Sequence, residues 1–207
     1  MTLVGVAVGA ALALVATLIP WLPDAASKQA DIVDNVYWLV TIICVVVFAV
    51  VAGVSAYAVY KFRAPPGDMD DGSPIHGHTG LEIVWTLIPT VLVTCIAVYS
   101  GVALAQAEDL PSDYRTVQVT GEQFAWTFTY PDIKVGENQT PLTTGELVLP
   151  IDETVRFDIT SKDVIHSFWV PQWRMKQDAV RGITTHTTVK PTQLGTFPVI
   201  CTEQVGS

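Results

Sequence analysis

A cysteine and a glutamate stand two apart in PVICTEQVGS, the stretch from residue 198 to residue 207. Earlier in the chain, DVIHSFWVP carries His166 among aromatic and aliphatic neighbours. Thiolate sulfur and imidazole nitrogen are soft and borderline donors, which suit copper or zinc better than the hard oxygen-loving ions. If Cys201 and His166 close one strand end each of the same sheet, they form the beginning of a metal site, with Glu203 beside them. The bland reading of the same residues is a hydrogen-bonded structural histidine and the stump of a core strand. Both readings stand on these residues alone.

The other residues of chemical type read more plainly. His76 and His78 in PIHGHTG belong to a solvated glycine-rich loop, and His186 in TTHTTV lies on the outer face of a strand. Met175 in WRMKQDAV is a packing residue. Glu82 stands at the start of an apolar run, where a carboxylate can reach back to the membrane boundary. Cys44 and Cys95 lie inside long apolar runs and Cys201 alone in the polar half, so the three cysteines build no disulfide framework.

These residues must be positioned by two kinds of element. The hydrophobic fraction is 50% and the charged fraction 15%, too apolar for an ordinary soluble domain. Mean hydropathy is +0.40. Residues 36–60 carry no charge and make roughly 37 Å of helix, enough to cross a bilayer. Tyr37, Trp38, Tyr57 and Tyr60 sit near its ends as interfacial anchors, and Lys61 and Arg63 follow, which places the next loop on the cytoplasmic side. Residues 81–106 form a second span with Pro89 inside it, where a kink is expected. The loop between them holds Pro65, Pro66, Gly67 and the acidic run Asp68, Asp70, Asp71. The two spans form a hairpin, and everything after residue 106 lies outside the cytoplasm. Residues 3–22 are also apolar, and Ala25-Ala26-Ser27 resembles a cleavage region without the usual basic start. Residues 1–30 are therefore expected to be a signal peptide or an extra N-terminal helix.

From residue 114 the period changes to two. In TVRFDIT, Val155, Phe157 and Ile159 alternate with polar residues, the pattern of a half-buried strand. YRTVQVT, QFAWTFTY, GELVLPI, VIHSFWV, GITTHTTVK and GTFPVICT read in the same way. Short strands in such number predict a small all-β Greek-key sandwich over residues 107–207. The formal net charge of −9 argues against nucleic acid as a partner and for a basic protein surface.

Four motifs in order, LEIVWTLIPT, GEQFAWTFTYP, HSFWVPQWRMKQDAVRG and GTFPVICTE, resemble subunit II of the haem–copper cytochrome c oxidases, from about residue 32 onward. The resemblance implies a two-helix transmembrane hairpin (31–106) followed by a cupredoxin-like domain (107–207). It further implies a subunit that accepts electrons from a c-type cytochrome at a dinuclear copper A centre. The electrons would pass to the haem and copper of subunit I, for oxygen reduction coupled to proton pumping. His166 matches a copper ligand and Cys201 the first bridging cysteine. Glu203 matches the residue whose main-chain carbonyl binds copper and whose side chain reaches magnesium at the subunit I interface. Glu82 matches the glutamate at the mouth of a proton path, and Asp178 lies in the segment facing subunit I. Phe124 and Trp126 match the aromatic pair where electrons arrive, with phenylalanine where the family has tryptophan. The implied partners are subunits I and III, membrane lipid and a c-type cytochrome. The implied place is the cell membrane, with the C-terminal domain on the outer face.

The sequence departs from that ligand set. Val205 stands where the second bridging cysteine is expected, and a second histidine and a methionine are expected four and seven positions further on, past Ser207. The chain as written is expected to be incomplete at its copper motif. Two alternatives follow: a copper-less structural subunit II, as in quinol oxidases, or a membrane-anchored single-copper protein. Measured copper content and the preferred reductant separate them.

Overall fold

The structure is a computed structural model that describes residues 19–64, 66, 67, 74 and 76–203. The N-terminal apolar run up to residue 18, Pro65, the acidic residues Asp68, Asp70 and Asp71, and Val205 lie outside the described residues. The chain divides into two compact units, one of residues 31–109 and one of residues 110–207 joined by the first thirty residues.

The first unit consists of two long helices, α1 (Lys28–Lys61, 34 residues) and α2 (Thr79–Ala107, 29 residues). At 1.5 Å per residue they are about 51 and 43 Å long, more than a bilayer core requires. Both are long and apolar enough to cross a membrane, with large apolar side chains such as Phe48, Val59, Ile88 and Val98 turned outward. That arrangement is unfavourable in water and natural in lipid, where each helix satisfies its own backbone groups. Helix α1 starts eight residues before the apolar run that announced it. The reason is local: Ser27 Oγ accepts a hydrogen bond from Ala30 N at 3.0 Å and so caps the first turn. Helix α2 is continuous through Pro89.

Residues 26–30, the first turn of α1 among them, belong to the second unit. Ala26 N donates to Gln172 O, Lys28 N to Lys190 O, and Thr192 N to Ala26 O. Ser27 Oγ also donates to Trp173 O, and Gln29 Oε1 accepts from Lys190 N. Ala26, Ser27 and Ala30 are completely buried. The small residues that resemble a cleavage region therefore pack as part of the β domain.

That domain is a sandwich of two sheets. Its strands are β1 (Arg115–Glu122), β2 (Ala125–Val135), β3 (Thr140–Thr144), β4 (Val155–Ser161), β5 (His166–Val170), β6 (Met175–Ala179), β7 (Thr185–Val189) and β8 (Ile200–Cys201). The larger sheet has the order β3-β2-β1-β4-β7 and the smaller one β6-β5-β8. Strand β1 pairs antiparallel with β2 and parallel with β4. Val155, Phe157 and Ile159 are fully buried, as their alternation predicts, and join Val117, Val119, Phe128, Phe168, Val170 and Trp173 in one core. Burying each large side chain contributes about 1.5–3 kcal/mol. The ring of Phe168 contacts Trp126, Phe128 and Phe157, and Phe157 stacks on Trp173.

The strand inventory differs from the sequence reading at three places. GELVLPI is not a strand. Leu147 and Leu149 still pack on the core, but the backbone of Val148 bonds to the hydroxyl of Tyr130 (N···Oη 2.7 Å, Oη···O 3.1 Å) instead of a ladder. The preceding residues form β3, an edge strand that tolerates Pro141 because the missing N–H need not face a neighbour. Polar MKQDA forms β6 at the edge of the small sheet, where cross-strand hydrogen bonds and not apolar alternation select the strand. In GTFPVICT only Ile200 and Cys201 join the ladder. The two-helix unit followed by a cupredoxin-like sandwich is otherwise the expected architecture.

Candidate metal centre

Strand β5 starts at His166 and strand β8 ends at Cys201, and both lie in the small sheet: Phe168 pairs with Cys201 and Trp169 with Ile200. This pairing brings together two residues 35 apart in sequence. Cys201 Sγ stands 3.8 Å from His166 Nδ1 and 4.0 Å from the carbonyl oxygen of Glu203. His166 is buried, with 3% of its surface exposed, whereas Cys201 is half-buried and Glu203 exposed.

Three neighbours hold the His166 ring. Nε2 hydrogen-bonds Asp163 Oδ1 at 2.7 Å. That bond assigns the ring proton to Nε2 and leaves the lone pair of Nδ1 facing the sulfur, the arrangement in which a carboxylate orients a metal-binding histidine. Asp163 is itself fixed, because it accepts from Gln123 N and Val164 N at 2.7 Å each. The Trp126 indole meets the imidazole edge to face at 5.8 Å between centroids. Beneath both rings lies Gly121, where an added Cβ would stand 3.0 Å from Trp126 Cζ3 and 3.1 Å from His166 Cδ2. Asp163 and Gly121 were not singled out from the sequence. The only available signal was the Asp-x-x-His spacing of residues 163 and 166, which is common in loops.

The electrostatics follow from these contacts. Burial works against a charged His166, but the Asp163 carboxylate and then Cys201 outweigh it and hold the imidazole above its ordinary value. Burial likewise pushes the Cys201 thiol up, but backbone hydrogen bonds at Ser167 and Glu203, together with His166, outweigh it and hold the thiol below its ordinary value. The His166 hydrogen bond, followed by that of Gln123 N, keeps the Asp163 carboxyl well below the usual carboxylate range. A thiol that ionises easily beside an imidazole nitrogen is a soft-metal donor pair once the ring gives up its proton.

The described residues bring together one thiol and one imidazole of the donor types that the resemblance assigns to copper. A copper pair needs a second bridging thiolate, and position 205 is valine. Among the described residues no three His, Cys, Asp or Glu side chains group as metal ligands. Met175 is engaged elsewhere, accepting from Thr187 Oγ1 at 3.9 Å.

The remaining residues of interest fall around this edge or outside the domain. Phe124 follows Gln123 in the β1–β2 turn and is 84% exposed. With Trp126 and Leu194 it lines an open groove of about 690 Å³. Asp178 on β6 accepts from buried Ser167 Oγ at 2.9 Å. His186 hydrogen-bonds Asp158 at 2.7 Å on the domain surface. In the helical unit, His78 is no free loop residue: its Nδ1 accepts from Leu81 N at 3.1 Å and caps α2. Glu82 Oε1 reciprocates by accepting from His78 N at 3.2 Å. The sequence reading missed this because histidine is an uncommon N-cap, though its Nδ1 can take the place of a side-chain oxygen.

The chain is similar to known proteins over most of its length. The family model for the transmembrane domain of cytochrome c oxidase subunit II matches residues 13–102, and that for its periplasmic domain matches residues 115–207. Cytochrome c oxidase subunit 2 of Thermostichus vulcanus is 33% identical, over 89% of this chain and 70% of that protein. Its counterpart in Synechocystis sp. is 32% identical, over 90% and 68%. Among solved structures, the periplasmic domain of subunit II of cytochrome oxidase (CoxB) of Bradyrhizobium japonicum is 29% identical and covers 48% of this chain and 79% of its own, with a TM-score of 0.41. The protein is a membrane protein with a periplasmic C-terminal domain, and it belongs to the cytochrome c oxidase subunit II family.

Proposed function

We propose that this chain serves a respiratory terminal oxidase as its electron-accepting subunit. It takes electrons from a c-type cytochrome at the outer face and delivers them to the haem-bearing subunit I, where oxygen is reduced and protons are pumped. The observation that carries the reading is the 3.8 Å approach of Cys201 Sγ to His166 Nδ1 at the edge of the sandwich. Copper held by a thiolate and an imidazole supplies a one-electron redox centre. The chain's own residues prepare that edge: Asp163 fixes the imidazole, Gly121 makes room for two rings, and the exposed Phe124 offers a flat apolar contact to a docking protein.

The finer assignments belong to the same proposal. Residues 1–30 are an N-terminal apolar segment or signal peptide, 31–106 the membrane hairpin and 107–207 the copper domain. His166, Cys201 and Glu203 are the metal residues, with the Glu203 side chain directed to magnesium at the subunit I interface. Phe124 and Trp126 receive electrons, Glu82 opens a proton path, and subunits I and III and lipid surround the hairpin. The test is to purify the oxidase complex containing this chain and assay it with reduced cytochrome c and with a quinol. Cytochrome c oxidation that is lost in Cys201→Ser supports the proposal, and quinol oxidation indifferent to Cys201 overturns it. Val205 is the one residue that speaks for that second reading, a structural subunit without copper, and the retained His166, Cys201 and Glu203 speak against it.

A further inference from the structure

We propose that Gly77 and His78 are positioning residues for Glu82, holding its carboxylate folded back over the start of α2. The inference rests on the reading of Glu82 as the mouth of a proton path and adds what fixes that mouth.

Two hydrogen bonds close a ring at the start of α2. His78 Nδ1 accepts from Leu81 N at 3.1 Å, and Glu82 Oε1 accepts from His78 N at 3.2 Å. The first bond fixes His78 as the cap of the helix, in an extended conformation with φ −148° and ψ 94°. The second uses the backbone so fixed to hold the carboxylate. His78 therefore serves the helix with its side chain and Glu82 with its main chain.

The glycines of HGHTGLE make room for both groups. A Cβ on Gly77 would stand 2.8 Å from Glu82 Oε1 and would meet no other atom within 4 Å. A Cβ on Gly80 would stand 3.3 Å from His78 Cε1. The backbone at Gly77 lies outside the left-handed region, so close approach of the carboxylate is what requires glycine there.

A carboxylate passes protons only to groups within hydrogen-bond reach. Glu82 is exposed, and a long side chain left free there would spread over several rotamers. Tied to His78 N, it has one place. Thr86 and Thr90 follow at four-residue steps on the same face of α2 and line, with Glu82, a shallow groove of about 460 Å³.

The experiment uses the purified oxidase complex containing the full chain, with Gly77→Ala, His78→Ala, His78→Asn or Glu82→Gln. It reads kcat, KM for the reductant the complex oxidises, the solvent deuterium isotope effect on kcat, and the melting temperature. Gly77→Ala displaces only the carboxylate end, so kcat is expected to fall about tenfold with a larger isotope effect, and KM and melting temperature to stay unchanged. His78→Ala is expected to lower kcat likewise, and His78→Asn, which restores a neutral cap, to recover most of the rate. Wild-type turnover in Gly77→Ala and His78→Ala beside an impaired Glu82→Gln overturns the inference and leaves the proton-path reading intact. An unimpaired Glu82→Gln overturns both. Losses of kcat that follow the melting temperature in every variant assign His78 to helix capping alone and also overturn the inference.

Discussion

Gly121 has no side chain, and two rings stand where a Cβ would go. The contacts a methyl group would make, 3.0 Å to Trp126 and 3.1 Å to His166, require one ring to shift. His166 has little freedom to do so, being buried and bonded to Asp163, so Gly121→Ala should destabilise the domain by about 1–3 kcal/mol, an overpacking cost. Chemical denaturation of the full chain, followed by tryptophan fluorescence, measures it; an unchanged midpoint would show that Trp126 moves aside freely. The thiol supplies a second prediction at this scale. Alkylation of Cys201 in metal-free protein should reach half its maximal rate at a lower pH than that of an ordinary thiol, and His166→Asn should move that midpoint upward. Asp163 supplies a third. Its folded-state carboxyl is depressed, so its contribution is complete above the unfolded value of about 3.9 and is lost as pH falls below it. The wild-type melting temperature should therefore drop more steeply than that of Asp163→Asn as pH falls from about 4 to about 2, and parallel curves would remove Asp163 from the account.

At the scale of elements, the first turn of α1 belongs to two structures at once. Ser27 Oγ caps the helix and also donates to Trp173 O in the β domain, with no exposure to solvent. Ser27→Ala removes a cap and leaves a buried carbonyl unpaired, for an expected loss of about 1–2 kcal/mol. Thermal unfolding of the full chain reads the loss, and a variant as stable as wild type would mean that water replaces the hydroxyl. The strands show how far a local pattern reaches. Strand β4 was legible because apolar alternation and burial coincide at Val155, Phe157 and Ile159. Strand β6 was not, because MKQDA has no apolar period and becomes a strand only through its pairing with β5. GELVLPI had the period without the pairing, since Tyr130 takes the hydrogen bonds of Val148. Apolar alternation records which side chains seek the core; it does not record which backbone is available as a neighbour.

For the whole molecule, residues 107–207 carry 13 acidic and 8 basic side chains, a net charge of −5 on the periplasmic side. Attraction of a basic cytochrome by such a domain is screened by salt, with a Debye length of about 10 Å at 0.1 M. In the oxidase complex, kcat/KM for reduced cytochrome c should thus fall as ionic strength rises, and a flat profile would assign the docking to apolar contact at Phe124 alone. The membrane hairpin, the β character of the second half and the family were all readable from sequence, because chain length against bilayer thickness, the period of two and contiguous motifs are local properties. The soft donors at residues 166 and 201 were readable as types, and the valine at 205 as a missing donor. Their approach to 3.8 Å, the carboxylate that turns the imidazole toward the sulfur, and the glycine that lets two rings meet were settled only by the tertiary structure. Each depends on pairing between segments far apart in the chain, and such pairing is selected by the fit of the whole core and leaves no trace in the spacing of nearby residues.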